Sequence, residues 1–345
     1  MSIVEINNLV KKYGDNVAVN DLSLNIDSKG VYGFLGPNGA GKSTTMNVLT
    51  GYIGATSGTV KINGYDIFKE PEEAKKNVGY LPEIPPLYQD MTVYEYLEFV
   101  SKIKKIKKEE RKACIEQSLE MTRTTEVRER LIRNLSKGYK QRVGIAQAIM
   151  GMPDLIILDE PTVGLDPKQI IEIRDLIRNL GKEHTVILSS HILTEISEVC
   201  ENIFIISQGK LVASGREEEL IEELAGENRI EAIIKGDANE IENILDKFGC
   251  KHSIETLDDE KCKAQIVTSR DIDIREGLFF ALAEKKMPLL ELKFKTKSLE
   301  DLFIELTTEY KAQPKKKGLK FKKKNSEKLD DKNLADNLKN EEKEV

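Results

Sequence analysis

A glycine-rich segment near the start of the chain, GPNGAGKS at residues 36–43, has the spacing G-x-x-x-x-G-K-S. Its glycines allow consecutive backbone N–H groups to face one anion, because a Cβ at those positions would crowd the oxygens of a phosphate. The apolar stretch GVYGFL precedes the segment and KSTTMNVLT follows it with helical spacing, which predicts a strand, a loop and a helix N-terminus. The pattern therefore predicts a loop that holds nucleotide phosphates.

Two residues of this loop carry chemistry of their own. The ammonium group of Lys42 is expected to reach the β and γ phosphates, and the hydroxyl of Ser43 is expected to ligate Mg²⁺. The full set of predicted nucleotide-binding residues is Gly36, Pro37, Asn38, Gly39, Ala40, Gly41, Lys42, Ser43 and Thr44.

A second candidate site is the apolar run LIILDE at residues 155–160, which ends in two carboxylates. A buried parallel strand would deliver these carboxylates to the carboxyl edge of its sheet. Asp159 then suits water-mediated binding of Mg²⁺, and Glu160 suits orientation or activation of the attacking water. The alternative is that these acids only cap the next helix. This alternative is weak because the same chain has a predicted phosphate-binding loop.

His191 directly follows another apolar strand pattern, TVILSS. A lone histidine is usually structural, but side chains that follow the strands of an α/β sheet face its ligands. We therefore predict that His191 contacts the γ phosphate and is catalytic together with Glu160.

The elements that position these side chains are predicted from periodicity. The three apolar strand patterns indicate an α/β core with a parallel sheet. Between Glu83 and Ser136, MTVYEYLEFVSKI and ERKACIEQSLEMT have helical spacing and predict a helical subdomain at about residues 84–150.

The chain changes character after the predicted hairpin IFIISQGKLVASG. Residues 225–310 are predicted to follow the order β-α-β-β-α-β, the split ferredoxin-like plan, and then a closing helix with Ser298 and Asp301 in a capping-box pattern. No catalytic pattern is present here, so a packing or dimer-stabilising role is favoured over binding of a small regulatory ligand, and His252 is interpreted as structural.

Composition limits the remaining possibilities. The 345 residues include 53 Lys or Arg and 59 Asp or Glu, a formal net charge of −6, and suggest two domains with appendages. Residues 313–345 are predicted to be a disordered, charged tail that solubilises the chain, with contact to anionic lipid as the alternative. No signal peptide or membrane-spanning stretch is expected. The cysteine spacing indicates neither a zinc site nor a disulfide framework, and the four cysteines are expected to be ordinary buried or half-buried thiols.

The stretch LSKGYKQRVGIAQA, which begins at Leu135, resembles the LSGGQ signature of ATP-binding subunits of ABC transporters. Ser136 and Gly138 match that signature, whereas Lys137 and Tyr139 depart from it as in subunits of two-component export systems, including those of gliding motility and copper-site maturation. A serine that caps an exposed helix start makes a second cradle for phosphate. The resemblance implies that Ser136, Lys137, Gly138 and Tyr139 serve the ATP bound on an opposite subunit.

The resemblance covers roughly residues 1–220 and implies an α/β P-loop NTPase core of the ABC ATPase type, with antiparallel β and helical subdomains. Tyr13 resembles the aromatic residue that stacks on adenine, although packing at a strand end is an alternative reading. Asp166 in VGLDP resembles the acid of the loop through which two subunits communicate. Glu83 stands where the family usually has a glutamine that touches Mg²⁺, and as a ligand it would add negative charge beside the phosphates.

Together with the expected lack of a membrane-spanning stretch, the resemblance implies a cytoplasmic ATPase, peripheral at the inner face of the membrane, whose homodimer hydrolyses ATP with Mg²⁺ to power a separate permease for export. No nucleic acid partner is expected. One alternative is a soluble ABC-type ATPase that acts on nucleic acid or ribosomes, but such chains commonly carry two cassettes or long coiled coils, and the overall acidity here argues weakly against it. A nucleotide-binding regulatory switch is the other alternative, and Glu160 with His191 counts against it.

Overall fold

The computed structural model of the chain describes residues 2–224, 227–258, 260–269, 272–295 and 299–312. The predicted capping residue Ser298 and the predicted tail from residue 313 lie outside the described residues.

A six-stranded sheet forms the centre of the first part of the chain, with strand order β10-β9-β3-β8-β7-β6. Its strands are β3 (Gly30–Leu35), β6 (Val78–Leu81), β7 (Leu155–Asp159), β8 (Thr185–Ser190), β9 (Asn202–Ser207) and β10 (Lys210–Gly215). All neighbours in the order β9-β3-β8-β7-β6 are parallel, and β10 pairs with β9 as an antiparallel hairpin. The predicted strands at residues 30–35, 155–159 and 185–190 are confirmed, and each is buried along its whole length.

An antiparallel sheet with the order β2-β1-β4-β5 packs over one face of this central sheet. Its strands are β1 (Val4–Tyr13), β2 (Asn16–Ile26), β4 (Ser57–Ile62) and β5 (Tyr65–Asp66). Helix α1 (Lys42–Leu49) lies in the apolar cluster between the two sheets, where Met46, Val48 and Leu49 are fully buried. The phosphate-binding loop is therefore held between two sheets.

Seven further helices accompany this part of the described chain. They are α2 (Pro71–Lys76), α3 (Val93–Ile103), α4 (Lys108–Met121), α5 (Lys137–Ile149), α6 (Pro167–Gly181), α7 (Leu193–Val199) and α8 (Glu217–Leu224). Helices α5, α6 and α7 cover the second face of the central sheet. The helical pattern predicted between Glu83 and Ser136 is confirmed by α3 and α4, which pack on α5 through a separate apolar cluster.

The C-terminal part contains a four-stranded antiparallel sheet with the order β12-β13-β11-β14. Its elements are β11 (Glu227–Lys235), α9 (Ala238–Asp246), β12 (Lys251–Asp258), β13 (Lys261–Ser269), α10 (Arg275–Glu284) and β14 (Leu289–Lys295). Residues of α9 and α10 join one face of the sheet in a single apolar cluster. These elements follow one another in the order strand, helix, strand, strand, helix, strand.

The last described helix, α11 (Leu299–Ala312), returns to the first part of the chain. Its Leu299 is buried in the same apolar cluster as Leu220 of α8 and Ile203 of β9. The chain thus enters and leaves the C-terminal sheet through two helices that share one core.

Candidate active site

The loop of residues 36–41 needs glycine because its backbone passes close to two neighbouring segments. A Cβ on Gly36 would lie 2.5 Å from the carbonyl oxygen of Ile206, and one on Gly41 would lie 2.5 Å from that of Ala18. Gly41 also has φ 105°, a conformation that side chains with a Cβ rarely adopt. These constraints fix the loop ahead of α1, so its N–H groups and the helix dipole favour an anion at this place.

Lys42, the first residue of α1, is buried with 6% of its surface exposed. Its Nζ donates to the Gly36 carbonyl at 2.7 Å and lies 3.8 Å from Oε1 of Glu160. Burial lowers the pKa of Lys42, and the carboxylates of Glu160 and Asp159 oppose that shift. The ammonium group therefore lies over the loop, with the Glu160 carboxylate beside it.

Ser43 and Asp159 provide two oxygen donors at the start of α1 and the end of β7. The Ser43 hydroxyl donates to Asp159 Oδ1 at 3.5 Å, and the Ser189 hydroxyl donates to the same oxygen at 2.6 Å. A hydroxyl and a buried carboxylate are hard ligands that suit Mg²⁺, which is commonly held by one or two such groups together with nucleotide phosphates. The residues at this edge therefore fit the magnesium ion that the sequence predicts.

Glu160 lies directly after β7 in a left-handed conformation with φ 49°. Its backbone N–H donates to the Ser189 carbonyl at 3.0 Å, which joins this turn to the neighbouring strand β8. Both carboxylate oxygens lie 3.0 Å from Nδ1 of His191. The strained backbone aims a carboxylate, 8% exposed, between the ammonium group of Lys42 and the imidazole of His191.

The signature segment forms the start of α5. Ser136 is the N-cap, and its hydroxyl accepts from the backbone N–H of Tyr139 at 3.4 Å. The Tyr139 hydroxyl instead bonds Glu126, which raises the pKa of that tyrosine. Within the described part of the chain, no hydrogen bond or ion pair joins residues 136–139 to residues 36–44.

Lys137 and Gly138 face the start of α6. A Cβ on Gly164 would lie 2.1 Å from the Lys137 Nζ, and one on Gly138 would lie 2.6 Å from the side-chain amide carbon of Gln169. Asp166 is the N-cap of α6 and accepts from the backbone N–H of Gln169 at 3.0 Å. The signature segment and the predicted communication loop are therefore neighbours in one chain.

Tyr13 and Glu83 are exposed residues near the ends of strands. The Tyr13 ring is 49% exposed at the end of β1, with the Lys11 ammonium group 5.1 Å from its centroid, so it is not a core residue. Glu83 is exposed two residues beyond β6, the parallel neighbour of β7, which puts it at the same edge of the sheet as Asp159.

Sequence reasoning missed Ser189 and the carbonyl of Gly36 as partners of the predicted residues. A signal for Ser189 was present, because TVILSS places hydroxyls at the end of an apolar strand. Only the pairing of β7 with β8, which sets Asp159 opposite Ser189, shows which acid that hydroxyl meets.

The family model described as "ABC transporter" matches residues 19–163, which include the phosphate-binding loop, the signature segment and Glu160. The chain is 42% identical over 213 residues to the bacitracin transport ATP-binding protein of Bacillus licheniformis, covering 61% of this chain and 69% of that protein. It is 32% identical to the linearmycin resistance ATP-binding protein of Bacillus subtilis, covering 88% of this chain and 98% of that protein. The chain belongs to the ATP-binding subunits of ABC transporters.

Solved structures agree with this assignment. An ATP-binding cassette of an ABC transporter, determined in its ADP conformation, matches with a TM-score of 0.58 and 28% identity over 65% of this chain and 94% of that one. The first part of the chain is thus an ABC ATPase domain, which binds and hydrolyses ATP to power a membrane permease. None of the helices in the described ranges combines the length and the hydropathy of a membrane-spanning segment.

Proposed function

We propose that two copies of this chain close on two ATP molecules, so that each nucleotide lies between the P-loop of one copy and residues 136–139 of the other. The observation that carries this proposal is the start of α5, where Ser136 is exposed on a capped helix N-terminus. A hydroxyl beside free N–H groups suits a phosphate, yet among the described residues no hydrogen bond or ion pair joins this segment to the P-loop of its own chain. A second copy would bring the two halves together in an isologous interface.

Hydrolysis in that arrangement is assigned to Glu160 and His191. Glu160 orients the attacking water or accepts its proton, because its carboxylate lies at the carboxyl edge of the sheet next to the P-loop lysine. His191 holds that carboxylate through Nδ1, which leaves Nε2 to contact the γ phosphate. Lys42 exchanges the Gly36 carbonyl for the β and γ phosphates when ATP binds.

Ser43 and Asp159 are proposed to hold Mg²⁺, and the exposed Glu83 is proposed as a further ligand on the same edge. When bound, the ion neutralises charge that develops on the phosphates. A carboxylate at position 83 adds a negative charge to this edge, so Glu83 is expected to change the metal requirement more than the affinity for nucleotide.

Tyr13 and Asp166 complete the proposed site. The exposed Tyr13 ring offers a flat apolar face for the adenine base. Asp166 caps α6 beside the signature segment and is proposed to carry contacts between the two subunits.

We further propose that the permease exports its substrate and that the system is of the two-component kind found in gliding motility and copper-site maturation. Lys137 and Tyr139 in the signature support this subtype, and relatives named for bacitracin transport and linearmycin resistance support outward transport. The chain would then act in the cytoplasm at the inner face of the membrane, without a nucleic acid partner.

The domain division proposed here is an ATP-binding domain of residues 1–220, with its helical subdomain at about 84–150, and an accessory domain of residues 225–310. The strand order β12-β13-β11-β14 with α9 and α10 on one face supports a ferredoxin-like plan for the accessory domain. A packing or dimer-stabilising role fits a domain of this kind.

Light scattering with ATP and Mg²⁺ at low salt tests the two-subunit site. Glu160→Gln keeps the shape of the side chain but cannot accept a proton, so ATP should persist and hold a stable dimer. Adding Ser136→Arg to that variant puts bulk at the interface and should abolish the dimer while nucleotide still binds. A Glu160→Gln protein that binds ATP and remains a monomer would contradict the proposal.

A further inference from the structure

Glu195 is a buried acid whose place in the fold the hydrolysis scheme does not use. It lies in the first turn of α7 and is 5% exposed. Its Oε2 accepts from the Thr162 hydroxyl at 2.7 Å and from the Ser190 hydroxyl at 2.9 Å. Both donors are themselves buried, Thr162 with 5% and Ser190 with 0% of its surface exposed.

The two hydroxyls belong to the two segments that carry the proposed catalytic pair. Thr162 is two residues beyond Glu160, and Ser190 directly precedes His191. The Ser190 hydroxyl also accepts from the Ile192 N–H at 3.0 Å, and this hydrogen bond joins the residues before and after His191. One carboxylate oxygen therefore ties the turn after β7 to the turn after β8.

Burial of a carboxylate is costly, and an aliphatic side chain would fill this space without that cost. An aliphatic residue would, however, leave two buried hydroxyls without their acceptor, and the two turns would lose their direct link. The Glu160 carboxylate and His191 Nδ1 lie 3.0 Å apart across these turns, a separation that small movements of either turn would change.

We propose that Glu195 is a positioning residue for ATP hydrolysis, which fixes Glu160 against His191 by holding Thr162 and Ser190. The inference rests on the proposed roles of Glu160 and His191. The proposal predicts that hydrolysis depends on the acceptor oxygen Oε2, to which both hydroxyls donate, and not on the second oxygen of the carboxylate.

Paired variants of the full chain test this requirement. Glu195→Gln keeps an oxygen acceptor for both hydroxyls and should leave kcat for ATP within about threefold of the unchanged protein. Glu195→Ala removes the acceptor and should lower kcat about tenfold or more, with KM for ATP within about threefold because the P-loop is intact. Glu198→Ala is the matched control, since Glu198 is an acid on the same helix that pairs with Arg174 and bonds neither Thr162 nor Ser190.

Histidine ring signals in NMR spectra of ¹⁵N-histidine-labelled protein supply a readout that does not depend on activity. The chain has three histidines, and His191→Ala assigns the signal of interest. Glu195→Ala should shift or broaden the His191 signals and leave those of His184 and His252 in place, whereas Glu195→Gln should leave all three unchanged. If Glu195→Ala does not fold, Thr162→Val removes one donor at constant shape and should move the His191 signals in the same direction.

Unchanged kcat and unchanged His191 signals in Glu195→Ala, or in Thr162→Val where Glu195→Ala is unfolded, would overturn the proposal. So would a Glu195→Gln protein as impaired as Glu195→Ala. Failure of the proposed hydrolysis scheme looks different, because Glu160→Gln and His191→Ala would then hydrolyse ATP at the unchanged rate whatever Glu195 does.

Discussion

At the scale of single residues, the P-loop lysine is held by its own loop. Lys42 donates to the Gly36 carbonyl at 2.7 Å, and only 6% of its surface is exposed. Backbone N–H groups and a helix dipole would remain without this side chain, but they supply partial charges rather than a full positive charge. The lysine therefore adds a full positive charge to the partial charges of the loop.

Lys42→Ala is expected to weaken ATP binding by about 10- to 100-fold, because a charge-assisted contact to the β and γ phosphates is lost. Equilibrium binding of a fluorescent ATP analogue measures the change. Lys76→Ala is the control, since Lys76 is exposed and pairs with Glu73 on α2. Equal affinity in the two variants would mean that Lys42 does not contact the phosphates.

The sequence could predict the residues of the candidate site because each one lies at the end of an apolar strand or inside a glycine pattern. Asp159, Glu160 and His191 are strand-end residues, and that position is readable from one segment at a time. Ser189 and Glu195 were not predicted as part of the site, because their significance depends on which strands are neighbours. The order β10-β9-β3-β8-β7-β6 is set by crossover connections between distant segments, and no local pattern encodes it.

At the scale of elements, helix α5 packs directly against strand β6. A Cβ on Gly79 of β6 would lie 2.2 Å from the Ala148 carbonyl oxygen near the end of α5. The Lys104 ammonium group, from the segment after α3, donates to the same carbonyl at 3.0 Å and to that of Met150 at 2.8 Å. The helix that begins with the signature is thus fixed at its far end by backbone contact and a capping lysine.

Gly79→Ala should lower the free energy of unfolding by about 2–4 kcal/mol, because the helix backbone, unlike a long side chain, cannot yield locally. Urea unfolding followed by circular dichroism gives the value. Gly54→Ala is the matched control, because a Cβ on Gly54 has no heavy atom within 4 Å, and it should change stability by less than about 0.5 kcal/mol. Similar losses in both variants would show that α5 and β6 are not in close contact.

At the scale of the whole molecule, the C-terminal sheet is not simply appended to the ATPase domain. Leu299 and Leu302 of α11 are 3% and 2% exposed, and Leu299 shares the apolar cluster of Leu220 and Ile203. The sequence predicted a closing helix but assigned it to the accessory domain. Its partners lie about 80 or more positions earlier in the chain, beyond the reach of a periodicity argument.

A pair of truncations measures what α11 contributes. Ending the chain after residue 298 removes two buried leucines and should cost roughly 3–5 kcal/mol of stability in the ATPase domain, seen as a lower Tm. Ending it after residue 312 removes only the polar segment beyond α11 and should leave Tm and ATP hydrolysis unchanged. Identical Tm values for the two truncated proteins would show that α11 does not stabilise the first domain.

Because α8 and α11 pack in the same apolar cluster, the movement of the segment between them is also restricted. A domain joined by a single linker rotates in every direction that the linker allows, whereas one held at two neighbouring junctions is confined to rotation about the line that joins them. After a single proteolytic cut between residues 224 and 299, the two fragments are therefore expected to stay associated through the packing of α11 with α8.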